Sequence, residues 1–394
     1  MQSCYAFDEY ELSLRAVKTD TNVKTIQMTD LRTQYQKIRV EVDAAISEVL
    51  NEASFINGPS VSKFATELSD YMGIRYVIPC GNGTDALQIA LMALDLPAGS
   101  EIITPGFSYA AVAEVCALLG LKAVFADVES DTFNIDAQKI EELINPATRV
   151  ILPVHLFGQC ANMPKIMEIA NRHNLYVVED NAQSVGAMCL MPGQMAMSGT
   201  MGHLSTMSFF PSKNLGCYGD GGAVCTNDEQ LAARVKMIAN HGQSVKYYHE
   251  IIGVNSRLDT IQAAILSVKL KYLNEFTEER RRVAAAYDAA FEGIEEIEIP
   301  FRASYSTHVF HQYTLKLRGI EPEQVQQSLK EKGIPSMVYY PLPLYKQKAY
   351  FVPIELPVTE TLCKTVLSLP MGTDMSKEQI EFITFTTKAI VKQK

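Results

Sequence analysis

The chain has no lysine- and arginine-rich run beyond Arg280-Arg281-Arg282, no Cys-x-x-Cys pair and no internal repeat or low-complexity tract. Each absence excludes something. Contacts to nucleic-acid phosphates need clustered cations, and a formal charge of -10 works against them. The eight cysteines, scattered from Cys4 to Cys363, suit neither a zinc site nor a disulfide framework. Reduced cytosolic thiols are the better reading. The most membrane-like stretch, Tyr109 to Val128, is interrupted by Glu114 and Lys122 and flanked by turn residues. A buried helix followed by a strand is expected there rather than a membrane span. The N-terminus mixes acids and bases and lacks the apolar centre of a signal peptide. The expectation is a cytoplasmic protein with no metal, nucleic-acid or membrane partner.

The 394 residues are enough for two domains, each with its own core. Residues 1–26 show neither helical nor strand periodicity and read as a mobile extension. A helix is expected over Leu31–Leu50. From residue 76 to about 240, strand-like runs alternate with amphipathic stretches. The runs are Tyr76–Cys80, Glu101–Pro105, Ala123–Val128, Val150–His155 and Tyr176–Glu179; Ala86–Leu94, Ala137–Ile144 and Pro164–His173 lie between them. This rhythm predicts an α/β fold with a mostly parallel sheet between helices. Ser205–Phe210 and Gly222–Thr226 then read as two strands joined by a Gly-rich connection. Helices are expected over Asp228–Asn240 and Asp259–Tyr287. Beyond about residue 276 shorter segments suggest a smaller α+β domain, so the division is 27–275 and 276–394.

Ligands of open α/β sheets bind beyond the carboxyl ends of the strands, and four loops there carry chemistry. Cys80 to Leu87 contains Gly81, Gly83, Thr84 and Asp85 before a helix; it suits an anion cradle or an ordinary helix cap. Thr104 to Tyr109 places an aromatic at a strand end, either to stack on a flat ring or to fill the core. Asp180 ends an apolar strand, where a carboxylate meets a cation or caps the next turn. Ser208 to Gly216 puts Lys213 after an apolar strand and before a glycine turn. A lone lysine is usually a solvated charge, whereas a buried one has a lowered pKa and becomes a nucleophile. Jointly the loops supply what pyridoxal phosphate requires: an anion cradle, a ring platform, a carboxylate for the pyridine nitrogen and an amine for the aldehyde.

Gly83-Thr84-Asp85-Ala86-Leu87, Glu179 to Ser184, Ser208 to Lys213 and Gly253 to Ala264 resemble the nucleotide-sugar aminotransferases of the DegT/DnrJ type. The similarity runs from about residue 27 to the C-terminus. It implies the type I aminotransferase fold and a homodimer with shared active sites. It also implies that Lys213 forms the Schiff base, Asp180 binds the ring nitrogen and Gln183 approaches the ring hydroxyl. Tyr109 would stack on the ring; Gly83, Thr84 and Ser208 would hold the phosphate, and Asn255 would come from the other subunit. Arg257, Tyr339 and Tyr340 would meet substrate. Glutamate is the implied amino donor, with pyridoxamine phosphate as the intermediate form. Thr104-Pro105-Gly106-Phe107 and the run Ser208 to Gly222 are most similar to enzymes aminating UDP-2-acetamido-2-deoxy-3-oxo-glucuronate, which implies a role in surface-polysaccharide or amino-sugar biosynthesis. Two stretches depart from that pattern. Tyr339-Tyr340-Pro341 stands where those enzymes carry His-Tyr-Pro, and the Met- and Gly-rich segment Met188–His203 matches poorly. Rival readings are a 4-oxo or neutral keto-sugar aminotransferase, a sugar dehydratase, an amino-acid aminotransferase, a silent PLP-binding regulator and a Rossmann-like binding module. The dehydratase relatives carry His in place of Lys213.

Overall fold

A computed structural model describes residues 25–393; the expected extension lies, up to residue 24, outside the described residues. The central sheet has seven strands in the order β1-β9-β8-β5-β4-β2-β3. In chain order these are β1 (Tyr76–Cys80), β2 (Glu101–Pro105), β3 (Lys122–Ala126), β4 (Thr148–Ile151), β5 (Tyr176–Asp180), β8 (Leu204–Ser208) and β9 (Gly222–Thr226). Between β5 and β8 the chain makes an antiparallel hairpin, β6 (Met188–Met191) and β7 (Gln194–Met197). Strand β9 runs antiparallel to both neighbours, and the other adjacent pairs are parallel.

This topology brings the chemistry-bearing loops to one end of the sheet. Cys80, Asp180 and Ser208 are the last residues of β1, β5 and β8, and Gly222 is the first of the reversed β9. Gly222 is in register with Cys80 on one side and Ser208 on the other. A Cβ on Gly222 would lie 2.4 Å from the Asn82 carbonyl, so only glycine lets the loop after β1 settle against β9.

Apolar residues on both faces of the sheet meet helices. The helix Gly83–Ala93 buries Leu87, Ile89 and Leu91 against Val150, Val178 and Val224. On the other face Ile166 and Ile169, from the helix Met163–His173, join Ile151 and Val177. A helix absent from the sequence reading, Pro59–Met72, buries Phe64, Leu68 and Met72. Its signals are present: Pro59 at the first helical position and apolar residues four apart. The stretch expected as one helix over Asp259–Tyr287 divides at Tyr272 into Thr260–Lys271 and Leu273–Phe291. No glycine or proline marks the break. The two helices serve different cores, since Leu266 and Leu270 join Phe64, whereas Val283, Tyr287 and Phe291 join a second cluster.

That second cluster surrounds the strands Ile297–Glu298, Tyr313–Leu317 and Val366–Leu369, which form an antiparallel sheet. The helices Pro322–Glu331 and Lys377–Val391 pack on it through Val325, Leu329, Ile383 and Val391. Leu273 still belongs to the larger body, so the helix beginning there spans the boundary drawn at 275/276. Among the described residues no helix is long and apolar enough to cross a membrane.

Candidate active site

A cavity of about 520 Å³ opens at the carboxyl ends of the strands. It is lined by Gly83, Thr84, Tyr109, Asp180, Gln183, Ser208, Lys213, Tyr339 and Tyr340. Asn82, Ser108, Ser212, Asp220, His311 and Gln312 complete the polar wall. Asn255 and Arg257 are not in it. Asn255 is exposed, and Arg257 lines a separate groove of about 870 Å³ with Arg75 and Lys236. That groove is larger but contains neither Lys213 nor Asp180, so volume alone does not mark the site.

The loop after β1 is both cap and cradle. Asn82 Oδ1 accepts the backbone N–H of Asp85 at 2.8 Å, starting the helix Gly83–Ala93. Gly83 and Thr84 then occupy its first turn on the cavity wall, where unpaired N–H groups favour an anion. A Cβ on Gly83 would come within 2.6 Å of Ser208 Cβ, so glycine lets the end of β8 approach this turn. Ser256 ties in the segment Gly253–Ala264: its Oγ accepts from Gly81 N–H at 2.9 Å and donates to Asp85 Oδ2 at 2.6 Å.

Of the two aromatics after β2, Phe107 is core, 1% exposed and packed edge-on with Phe157 and Tyr340. Tyr109 is 62% exposed on the cavity wall and free to cover a flat ring.

Asp180 also reconciles two readings. Its Oδ1 accepts the N–H of Ala182 at 3.0 Å, capping the turn, while the residue lines the cavity. Burial raises its carboxyl pKa, and the Ala182 N–H, Lys213 and His155 each pull it back. Lys213 follows a turn closed by its own N–H to Phe210 O at 2.8 Å. The amine has no ion pair with the described residues; burial lowers its pKa to about 8, against an opposing pull from Asp180. Gln183 takes Phe157 N–H on Oε1 at 2.7 Å and donates from Nε2 to the Tyr340 hydroxyl at 3.3 Å.

Sequence reasoning missed His311 and Gln312, because nothing local links a residue before the strand Tyr313–Leu317 to a cavity built by loops far off in the chain. His311 is buried, with an unpartnered Nδ1, and burial pushes its pKa well below the usual imidazole value.

Known proteins give the same picture. Over 359 residues, 91% of this chain and 98% of the relative, the sequence is 44% identical to a UDP-2-acetamido-2-deoxy-3-oxo-D-glucuronate aminotransferase of Pseudomonas aeruginosa. A pleiotropic regulatory protein of Geobacillus stearothermophilus is 42% identical over 364 residues, 91% of this chain and 96% of its own. The S. venezuelae protein DesV, solved in complex with a ketimine intermediate, matches with a TM-score of 0.90 and 34% identity over 94% of this chain and 100% of its own. Residues 36–386 match the model of the DegT/DnrJ/EryC1/StrS aminotransferase family, and the chain belongs to that family.

Proposed function

We propose that this chain transfers an amino group from glutamate to C3 of UDP-2-acetamido-2-deoxy-3-oxo-glucuronate, using pyridoxal phosphate. The observation that carries the reading is the shared cavity: a lysine amine lowered to about 8 and a buried aspartate, beside a glycine-rich helix start. This donor set fits the cofactor. Gly83 and Thr84 at the helix start, with Ser208, would hold the phosphate, Asp180 would meet the ring nitrogen and Lys213 the aldehyde. The division into a cofactor domain over 27–275 and a small domain over 276–394 belongs to the same proposal, as do the cytoplasm and surface-polysaccharide biosynthesis as its setting.

When bound, pyridoxal phosphate supplies an electrophilic carbon and a ring that accepts electron density. The chain does the rest. Lys213 Nζ, whose pKa of about 8 leaves a usable fraction of free amine near neutral pH, would hold the aldehyde and, once released, move a proton to and from the substrate carbon. Asp180 would keep the proton on the pyridine nitrogen. Gln183, its amide oriented by the Phe157 N–H and donating one Nε2–H to Tyr340, would offer the other to the ring hydroxyl. Tyr109 would cover one face of the ring.

The substrate assignment rests on the 44% identical relative that bears this substrate in its name. One feature favours a second reading, amination of a neutral or 4-oxo sugar. Among the described residues, the cavity wall has no cation apart from Lys213, since burial holds His311 uncharged and Tyr339 replaces the expected His. In the uronate reading the carboxylate would meet Arg257 supplied by a second copy. Supplying glutamate with each keto-sugar and locating the new amine by NMR decides between them: amination at C3 of the uronate is expected. Amination at C4 only, or preference for neutral sugars, refutes it. A regulatory role without turnover predicts no product with any sugar.

The homodimer is part of the same proposal and is supported by the exposure of Asn255 outside the chain's own cavity. Mixing inactive Lys213→Ala chains with inactive Asn255→Ala chains should restore part of the activity. An active monomer in sedimentation rules the shared site out.

A further inference from the structure

Directly before Asp180 lies a second buried acid. Glu179 is 0% exposed, and its two oxygens accept four hydrogen bonds. Oε2 takes Gly199 N–H at 2.8 Å and pairs with His155 Nε2 at 2.8 Å. Oε1 takes Met201 N–H at 2.7 Å and Gly202 N–H at 2.6 Å. The backbone N–H of Ala161 donates to His155 Nδ1 at 3.1 Å, so the ring's proton sits on Nε2 and is donated to Glu179. The His155 peptide is bound to the same strand end: its N–H donates to Asp180 O at 3.0 Å, and Asp180 N–H donates to Pro153 O at 2.9 Å.

The segment Met188–His203 thereby acquires a purpose. After the hairpin, its turn points three peptide N–H groups at one carboxylate, and Asn181 Nδ2 holds Ser198 O at 2.9 Å. A fully buried carboxylate needs such donors, and removing one leaves a buried group unpaired. A merely structural anchor would satisfy that need anywhere along the strand. Here it falls on the residue adjoining Asp180, and it engages the one histidine that also bonds the Asp180 peptide.

We propose that Glu179 is the positioning residue of this site: by claiming the His155 proton and clamping the turn Gly199–Gly202, it fixes the end of β5 and leaves the Asp180 carboxylate available to the cofactor ring. The role rests on the reading that Asp180 meets the pyridine nitrogen. Glu179→Gln tests it with little change of shape. Its NH₂ must face either His155 Nε2–H and Gly199 N–H, or Met201 and Gly202 N–H, so donors oppose donors in both orientations.

The experiment uses the cofactor-loaded protein. For Glu179→Gln, kcat should fall on the order of 10- to 100-fold, as when outer partners of a metal ligand are removed, with KM for glutamate nearly unchanged. The pH titration of the cofactor absorption should also shift its midpoint, because the charge opposite the ring has moved. A variant with the parent's kcat and midpoint overturns the role. Should that variant not fold, ¹⁵N-histidine NMR of the unaltered loaded protein, assigned through His155→Gln, reads the same arrangement. A protonated Nε2 and a bare Nδ1 are expected; the opposite tautomer overturns it. If Asp180→Asn turns over normally, the reading of the site fails. If Asp180→Asn is crippled and Glu179→Gln is not, only the role of Glu179 falls.

Discussion

Gln183 donates its Nε2–H to the phenol oxygen of Tyr340 at 3.3 Å, while its own Oε1 is committed to the backbone N–H of Phe157 at 2.7 Å. The two bonds differ in worth. Gln183→Leu strands a buried backbone donor and should destabilise the cofactor-free protein by about 1–3 kcal/mol, whereas Tyr340→Phe gives up a long bond between side chains and should cost about 0.5–1.5 kcal/mol. Denaturant unfolding of both variants checks this ranking; equal losses would show that the Phe157 contact does not orient the amide.

Lys213→Ala should abolish turnover and remove the cofactor–lysine absorption band while the fold survives. Borohydride reduction of the loaded protein followed by peptide mapping should label Lys213. A label on any other lysine sinks the assignment.

The lowered pKa of Lys213 sets a pH dependence whose sign can be worked out. The folded chain releases this proton near about 8, while an unfolded lysine keeps it to about 10.5. Between those values the unfolded state binds more protons, so the stability of the cofactor-free protein rises with pH across that window. Below the window the penalty of a buried ammonium is present in full. Only the unprotonated amine attacks an aldehyde, so the rate of cofactor capture should climb with pH and level off above about 8. Stopped-flow absorbance measures it; a half-point near 10.5 would show a solvated lysine.

Asp180→Asn keeps the volume but loses the charge that holds the pyridinium proton. Single-turnover rates with glutamate should drop on the order of 10²–10³-fold, the usual price of an electrostatic partner to the reacting group. Cofactor retention should change little. Near-normal rates would refute the pairing.

Gly83→Ala introduces a Cβ 2.6 Å from that of Ser208, and the backbone has little room to retreat because Gly222 lies so near Asn82 that a Cβ there would come within 2.4 Å of its carbonyl. A loss of about 1–3 kcal/mol is expected from overpacking. Weaker cofactor binding should accompany it, since both residues face the proposed phosphate position. Calorimetric titration that finds full affinity in a destabilised variant would separate the cradle from the packing.

Much of the sheet was legible because its strands are apolar runs bounded by turn residues: Tyr76–Cys80, Glu101–Pro105 and Gly222–Thr226 have the expected limits. The cavity was legible where a motif sits on one strand end, as at Gly83, Asp180 and Lys213. What stayed hidden depends on partners distant in sequence. The role of Glu179 requires the turn Gly199–Gly202 and His155, neither marked locally. The break at Tyr272 requires two cores pulling on one helical pattern. The helix Pro59–Met72 was readable from its own residues and was passed over.

The clamp on Glu179 is made by peptide groups, and this bears on how its sequence can vary. A backbone N–H is the same whichever side chain follows it. Met201 contributes through its main chain, and Gly199, with φ of 84°, contributes the bend. Natural drift can therefore rewrite most letters of the hairpin Met188–Met197 while the anchor persists, provided the bend and the spacing to β8 survive. Departure from a family's sequence pattern is then no index of idleness. Insertions there, which shift the three donors off the carboxylate, should be purged far more strictly than substitutions.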